Sequence, residues 1–211
     1  MLRLPLICLA LLALALPVSA QTTLVELFAS HNCRASDKAH ETLSKVNAAR
    51  EDVLILTWSV DYWDYLGEAD PMATPHAKAR QAHYVDKFGL RGAYTPQTVY
   101  DGAVQCPGNR PRDVERAIAK AQSRADDGMA ISLADGVAEV TGDMAGDLLL
   151  VDFLDAAASD TAMVHPVTGL ARLGRHEGAA SEWAVPDCES GCALILQDPA
   201  TQDVLAIARV R

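Results

Sequence analysis

The chain has 211 residues, with 28 acidic against 18 basic side chains and a formal charge of −10. A balance this acidic leaves no electrostatic footprint for nucleic acid or an anionic membrane, and the excess is spread along the chain as a solvated surface. The length suits one medium domain or two small ones, and no internal repeat, low-complexity tract or long charged linker appears.

Residues 1–20 read as a cleaved secretory signal. Arg3 is a minimal basic region, Leu6 to Leu16 is apolar, and Val18-Ser19-Ala20 offers small residues for cleavage before Gln21. The apolar run is too short to span a bilayer and no stop-transfer segment follows, so no stable membrane insertion is expected. Pro5-Leu6-Ile7 before Cys8 lacks the small residue that lipoprotein processing needs. The expected location is periplasmic or secreted.

Loss of Arg3 with the signal takes the formal charge from −10 to −11 and leaves Cys33, Cys106, Cys188 and Cys192. In an oxidising compartment four cysteines allow three full pairings. Cys188 and Cys192 flank the short polar turn Glu189-Ser190-Gly191, and a disulfide between them is expected. The competing reading is a zinc half-site, but no second Cys/His pair of zinc-like spacing accompanies it, so no metal is expected.

Leu24–Phe28 reads as a buried strand, followed by the turn Ala29-Ser30-His31-Asn32 and then Cys33. Behind Cys33, Ala35, Ala39, Leu43 and Val46 recur at helical spacing. Cys33 therefore falls at a helix N-terminus, where free N–H groups and the helix dipole favour a nucleophilic thiolate. Three residues on, where a second cysteine would complete Cys-x-x-Cys, stands Ser36. The nucleophile is present and the usual resolving thiol is not.

Val53–Val60 is an apolar, β-branched run expected to be a central strand. Thr74–Phe88 is predicted helical, with Thr74 as N-cap, Pro75 in the first turn and Gly89 just past the end. Gln97–Tyr100 and Val104–Cys106 surround Asp101-Gly102, a hairpin signal. Arg112–Ala125 is expected to close the unit, with Val114, Ala117, Ile118 and Ala121 inward. Strand, helix, strand, helix, hairpin, helix is the order of a thioredoxin-like α/β domain.

The texture changes near Asp126-Asp127-Gly128, where the helical period stops. We therefore expect a thioredoxin-like domain over residues 21–127 and a β-rich domain over 128–211. In the second, Ala130–Leu133 and Val137–Val140 surround Asp135-Gly136. Leu148–Leu154, Ala162–Pro166, Cys192–Gln197 and Val204–Val210 are further strand candidates, which suggests a small β-sandwich.

Tyr94-Thr95-Pro96-Gln97 is the second chemical signal. In thioredoxin-like folds a cis proline preceded by a small or β-branched residue opens the strand facing the reactive cysteine. That arrangement would bring the Thr95 backbone beside Cys33, to pair with an extended substrate segment.

The chain also resembles a specific family. VELFASHNC, SVDYWDYLGEADP, ARQAHY and YTPQTVYDG, and later GCALILQ and VLAIARV, occur in the order of a bacterial secreted thioredoxin-like family that carries only a domain-of-unknown-function label. Members commonly show Cys-x-x-Cys followed by prolines, where this chain has Cys33-Arg34-Ala35-Ser36-Asp37. The resemblance implies fold and compartment more than activity.

Cys106 ends the second hairpin strand, in a loop that packs beside the active site in thioredoxin-like folds. Two readings stand: it resolves a mixed disulfide on Cys33, or it is a buried, inert thiol. Glu26 lies near the place of the buried acid of thioredoxins, as a proton shuttle or as a hydrogen-bonded strand residue. His31 is read as a loop histidine more than a helper of the thiolate. His76 and His83 are too far apart along their helix to clamp one metal alone. Trp58, Tyr62, Trp63 and Tyr65 either wall a peptide groove or simply pack together.

The expected function is thiol–disulfide exchange through Cys33 on a protein or low-molecular-weight disulfide, with Ser36, Thr95, Pro96 and Cys106 completing the site and no cofactor. The alternative is a redox-inactive module that binds a peptide or protein at the Thr95-Pro96 edge. Metal delivery is disfavoured, because methionines and histidines do not cluster near Cys33.

Overall fold

The computed structural model describes residues 22–124, 127–155 and 162–210. The expected signal over residues 1–20 lies outside them, as do Ala125 and Asp126 at the expected change of texture. The first part alternates: β1 (Thr23–Ala29), α1 (Arg34–Ala49), β2 (Val53–Ser59), α2 (Pro75–Lys87), β3 (Gln97–Tyr100), β4 (Val104–Pro107) and α3 (Pro111–Gln122). Strands follow: β5 (Ala130–Ala134), β6 (Val137–Thr141), β7 (Gly146–Phe153), β8 (Val167–His176), β9 (Ser181–Ala184), β10 (Gly191–Gln197) and β11 (Val204–Arg209). The protein is thus mixed α/β with three sheets, ordered β2-β1-β3-β4, β11-β10-β7-β8 and β5-β6-β9. No described helix is long and apolar enough to cross a membrane.

In the first sheet β1 runs parallel to β2 and antiparallel to β3, so β1 is paired on both edges and wholly buried. Its two faces feed different cores. Val25, Leu27 and Ala29 meet α1 through Ala39, Leu43 and Val46, and α3 through Val114, Ala117, Ile118 and Ala121. Leu24 and Phe28 point the other way, into a core with Tyr84 of α2 and with Leu149, Val151, Ala193 and Ile195 of the second sheet.

That second core explains the unbroken apolar character of GCALILQ. The opposite face of the same sheet, through Leu148, Leu150, Leu194 and Leu196, packs on Ala138 and Val140 of the third. A strand buried on both faces reads as continuous hydrophobicity and not as alternation. The chain therefore builds stacked layers in which the first and second sheets share a core.

Capping follows the sequence closely. Thr74 Oγ1 accepts the Ala77 N–H at 3.2 Å, Pro75 opens α2, and Gly89 follows its end at φ +60°. The segment Ala162–Pro166 departs from expectation: it is not a regular strand. It docks on the outer edge of β2, where Thr57 N–H donates to the His165 carbonyl at 3.0 Å and Thr57 Oγ1 donates to the Val164 carbonyl at 2.7 Å. Those backbone groups serve the first sheet, and the strand proper starts at Val167.

A buried ion pair joins the layers. Glu26 on β1 receives two bonds from the Arg80 guanidinium and one from Tyr84 Oη at 2.6 Å. Arg80 also donates to Gln197 Oε1 of β10 at 2.9 Å, and its guanidinium stands 5.7 Å from the centre of the Trp58 ring.

Asp101 closes the β3–β4 turn at φ 44°. Its carboxylate accepts the Leu24 N–H at 2.7 Å, and its backbone carbonyl accepts the Val204 N–H at 3.0 Å. Burial pushes the carboxyl up to about 6; Glu26 and Asp203 add to the rise, while the Leu24 bond and Arg124 oppose it. A carboxyl raised in the fold contributes stability that is complete below its unfolded value of about 4 and lost as pH rises through about 6. Asp101→Asn keeps the acceptor and tolerates a positive φ. It is expected to gain stability relative to the parent as pH rises from 5 to 7.5, read as the difference in urea midpoint. An unchanged difference across that range would contradict the assignment.

Candidate thiol site

Cys33 caps α1 with extended backbone (φ −102°, ψ 103°), so its sulfur sits over the first helical turn. The turn before it is short because Ser30 organises it: the Ser30 carbonyl accepts the Cys33 N–H at 3.0 Å and Ser30 Oγ accepts the Asn32 N–H at 3.2 Å. The Ser36 N–H donates to the Cys33 carbonyl at 2.8 Å, which starts the helix.

The Thr95–Pro96 peptide is cis, and the Thr95 carbonyl accepts from Cys33 Sγ at 3.7 Å. Three of the residues expected at the site, Cys33, Ser36 and Thr95, therefore meet at one sulfur, with the buried Pro96 behind Thr95. Burial alone would raise the Cys33 thiol. Hydrogen bonds from the Thr95 and Ser36 side chains and from the Ala35 and Ser36 N–H groups outweigh it, and the net direction is down.

Ser36 consequently has a part that its position in the motif did not announce. It is fully buried, its Oγ accepts the Ser30 N–H at 3.4 Å, and its hydroxyl hydrogen remains to serve the Cys33 sulfur. A hydroxyl carries two lone pairs and one proton, so it can take the Ser30 bond and give the other. Ser36→Ala is expected to raise the Cys33 pKa and slow alkylation at neutral pH about threefold, within the worth of one hydrogen bond. Equal alkylation–pH profiles for the two proteins would remove this role.

A loop after β2 encloses the thiol. Asp70 is buried there; its Oδ2 accepts the His31 N–H at 3.1 Å and its Oδ1 accepts the Met72 N–H at 3.0 Å. His31 Nε2 lies 3.0 Å from the Glu68 carbonyl and Asn32 Nδ2 donates to the same oxygen at 2.8 Å. His31 is thus spent on holding the two loops together. Trp63 Nε1 donates to Thr95 Oγ1 at 2.7 Å, and Tyr65, 76% exposed, stacks on Trp63 at 6.1 Å. The aromatics were visible in the sequence, but the Trp63–Thr95 bond and the Asp70 anchor were not. Both join segments more than thirty residues apart.

Cys106 lies opposite Thr98 in the β3–β4 ladder. Its sulfur is 3.4 Å from both the Thr98 and Tyr100 hydroxyls and packs against the α1/α3 core. Cys33 and Cys106 are both free thiols. Glu26 faces α2 and not the thiol, held by Arg80 and Tyr84 as described.

Cys188 and Cys192 form a disulfide with Cα atoms 6.0 Å apart, at the start of β10. Their sulfurs and an Asp152 carboxylate oxygen lie within 4.8 Å of one another. Sulfurs joined in a disulfide are not the thiolates that a zinc site needs.

Fold and site together define a mixed α/β protein that presents one acidified thiol at a helix N-terminus against a cis Thr-Pro edge. The chain belongs to the family described as protein of unknown function (DUF1223), whose model matches residues 24–158. The crystal structure of protein AGR_C_4864 from Agrobacterium tumefaciens is similar at 26% identity and a TM-score of 0.76, covering 90% of this chain and 94% of that one. HBP35 of Porphyromonas gingivalis shares fold only, at 9% identity and a TM-score of 0.53 over 90% of this chain and 74% of that one. No curated protein matches the chain.

Proposed function

We propose that residues 21–127 form a thioredoxin-like unit, residues 128–211 an appended β-sandwich-like one, and that the protein is an exported, periplasmic or secreted, catalyst of thiol–disulfide exchange. The observation that carries this reading is the Cys33 sulfur at the start of α1, facing Thr95 of the cis Thr95–Pro96 bond and supplied with hydrogen-bond donors.

The Cys33 thiolate attacks one sulfur of a substrate disulfide. A Cys33–substrate S–S bond forms, the substrate S–S bond breaks, and the departing thiolate takes a proton from solvent. A second thiolate, from a low-molecular-weight thiol, then attacks the substrate sulfur of this mixed disulfide and Cys33 leaves as thiolate. No net oxidant or reductant is consumed. Cys106 is assigned a packing role, because its sulfur is met by the Thr98 and Tyr100 hydroxyls and packs against the α1/α3 core.

A redox-inactive binding module is the second reading, favoured by Ser36 at the resolving position and by the exposed Tyr65 and Leu66 in the loop whose Trp63 bonds Thr95. Incubation with a peptide disulfide, followed by intact-mass measurement and peptide mapping, separates the two. Exchange requires one adduct, located on Cys33. No adduct there, or equal labelling of Cys106, would leave the binding module. Ser36→Cys is further expected to form a local disulfide with Cys33 and to turn over insulin disulfides with dithiothreitol faster than the parent. Formation of that disulfide without faster turnover would show that the missing thiol is not what limits the parent.

A further inference from the structure

We infer that Trp63 is a positioning residue that aims the Thr95 hydroxyl hydrogen at the Cys33 sulfur. The indole N–H is only a donor, and it sits 2.7 Å from Thr95 Oγ1. Thr95 Oγ1 must therefore accept from Trp63, which turns its own hydrogen away from the indole. Cys33 rests against the same residue: its sulfur is 3.7 Å from the Thr95 carbonyl, and the Thr95 side chain is among the groups that lower its thiol pKa. Thr95 thereby serves both forms of the cysteine. Its carbonyl accepts from the thiol, and its hydroxyl donates to the thiolate.

The relay is built and not accidental. The short turn Asp64–Leu66 holds the segment just after Trp63, the Gly67 N–H returns to the Asp64 carbonyl at 3.3 Å, and Asp64 Oδ1 accepts the Asp70 N–H at 3.1 Å. Gly67 is close to Asn32: a Cβ there would come within 2.4 Å of Asn32 Oδ1. The aromatic loop and the cysteine turn thus fit closely, and a larger residue at Gly67 would have to displace the Asn32 side chain from the Glu68 carbonyl. Because Tyr65 stacks on Trp63, a partner resting on exposed Tyr65 touches the same relay.

The other titratable groups around Cys33 place no charge that would replace this donor. Tyr62, beside Thr95 and Gln81, is pushed up to about 12 by burial and so keeps its proton and stays uncharged. The His31–Asp70 pair, 3.4 Å apart, belongs to the loop contact, and Arg34 and Asp37 lie on α1 itself.

The inference rests on Cys33 being the exchanging thiol, yet its test does not need exchange to occur. Thiolate absorbance near 240 nm is titrated in a Cys106→Ser background for the parent, Trp63→Phe, Thr95→Val, Thr95→Ser and the Trp63→Phe/Thr95→Val pair. Trp63→Phe and Thr95→Val are each expected to lower the thiolate fraction at neutral pH roughly threefold, about half a pH unit, while Thr95→Ser matches the parent. The pair should shift no further than Thr95→Val alone, since Trp63 acts through that hydroxyl. An unshifted Trp63→Phe titration, or a fully additive pair, overturns the relay. Loss of disulfide exchange in the parent with these shifts intact overturns only the exchange reading.

Discussion

Replacing Cys33 with Ser is expected to reduce disulfide exchange to the uncatalysed rate, a loss of about 100-fold or more, because the thiolate and not a hydroxyl is the nucleophile. The structure makes this a sharp comparison. Ser is nearly isosteric, and the contact it must keep is the half-buried one to the Thr95 carbonyl. Folding should be unaffected. Cys106→Ser is the matched control: a hydroxyl can still bond the Thr98 and Tyr100 hydroxyls that face that sulfur. It should retain most of the exchange rate, measured with a peptide disulfide and a low-molecular-weight thiol. If Cys33→Ser and Cys106→Ser lose activity equally, Cys106 is a partner in the cycle and the packing role assigned to it is wrong.

The largest loss of stability is expected from Arg80→Met. It leaves Glu26 fully buried without its cation and removes the bond that ties α2 to Gln197 of β10. Removing one partner of a buried pair costs about 3–5 kcal/mol, because the remaining charge is stranded. For a chain of this size that is a fall in Tm of roughly 10 °C. Tyr84, whose hydroxyl is held well above its ordinary pKa by burial, cannot replace the missing positive charge. Arg80→Met combined with Glu26→Gln should recover much of the loss, since the new side-chain amide still offers Tyr84 an acceptor oxygen and carries no charge. Calorimetric melting decides it: Arg80→Met within about 1 kcal/mol of the parent would show that the pair contributes little.

What could be read from the sequence was local. Strand, cysteine and helical spacing placed Cys33 at the start of α1, and the Thr74-Pro75…Gly89 pattern bounded α2 to within a residue. Asp-Gly marked both hairpins, at Asp101-Gly102 and Asp135-Gly136, where the backbone takes positive φ. The pair Cys188–Cys192 was legible because only a short turn separates them.

What escaped was non-local or weakly patterned. β8 is an edge strand with Gly169 and Gly174 and a mostly solvated surface, so no period announces it. Gly174 is small because Trp183 of β9 lies over it, a contact no spacing reveals. Ala162–Pro166 looked like a strand because of the apolar run Ala162-Met163-Val164, yet its backbone serves β2. At the site, Ser36 read as a missing thiol, and its hydrogen bonding became evident only with Ser30 in place.

The account turns on Cys33 being an activated thiol, and the most direct measurement is its iodoacetamide labelling rate against pH in a Cys106→Ser protein. The expected profile has its inflection clearly below the free-cysteine value of about 8.5, and Ser36→Ala moves that inflection upward. An inflection at or above the free-cysteine value would contradict the account, because hydrogen bonding from Thr95 and Ser36 would then not outweigh burial of the sulfur.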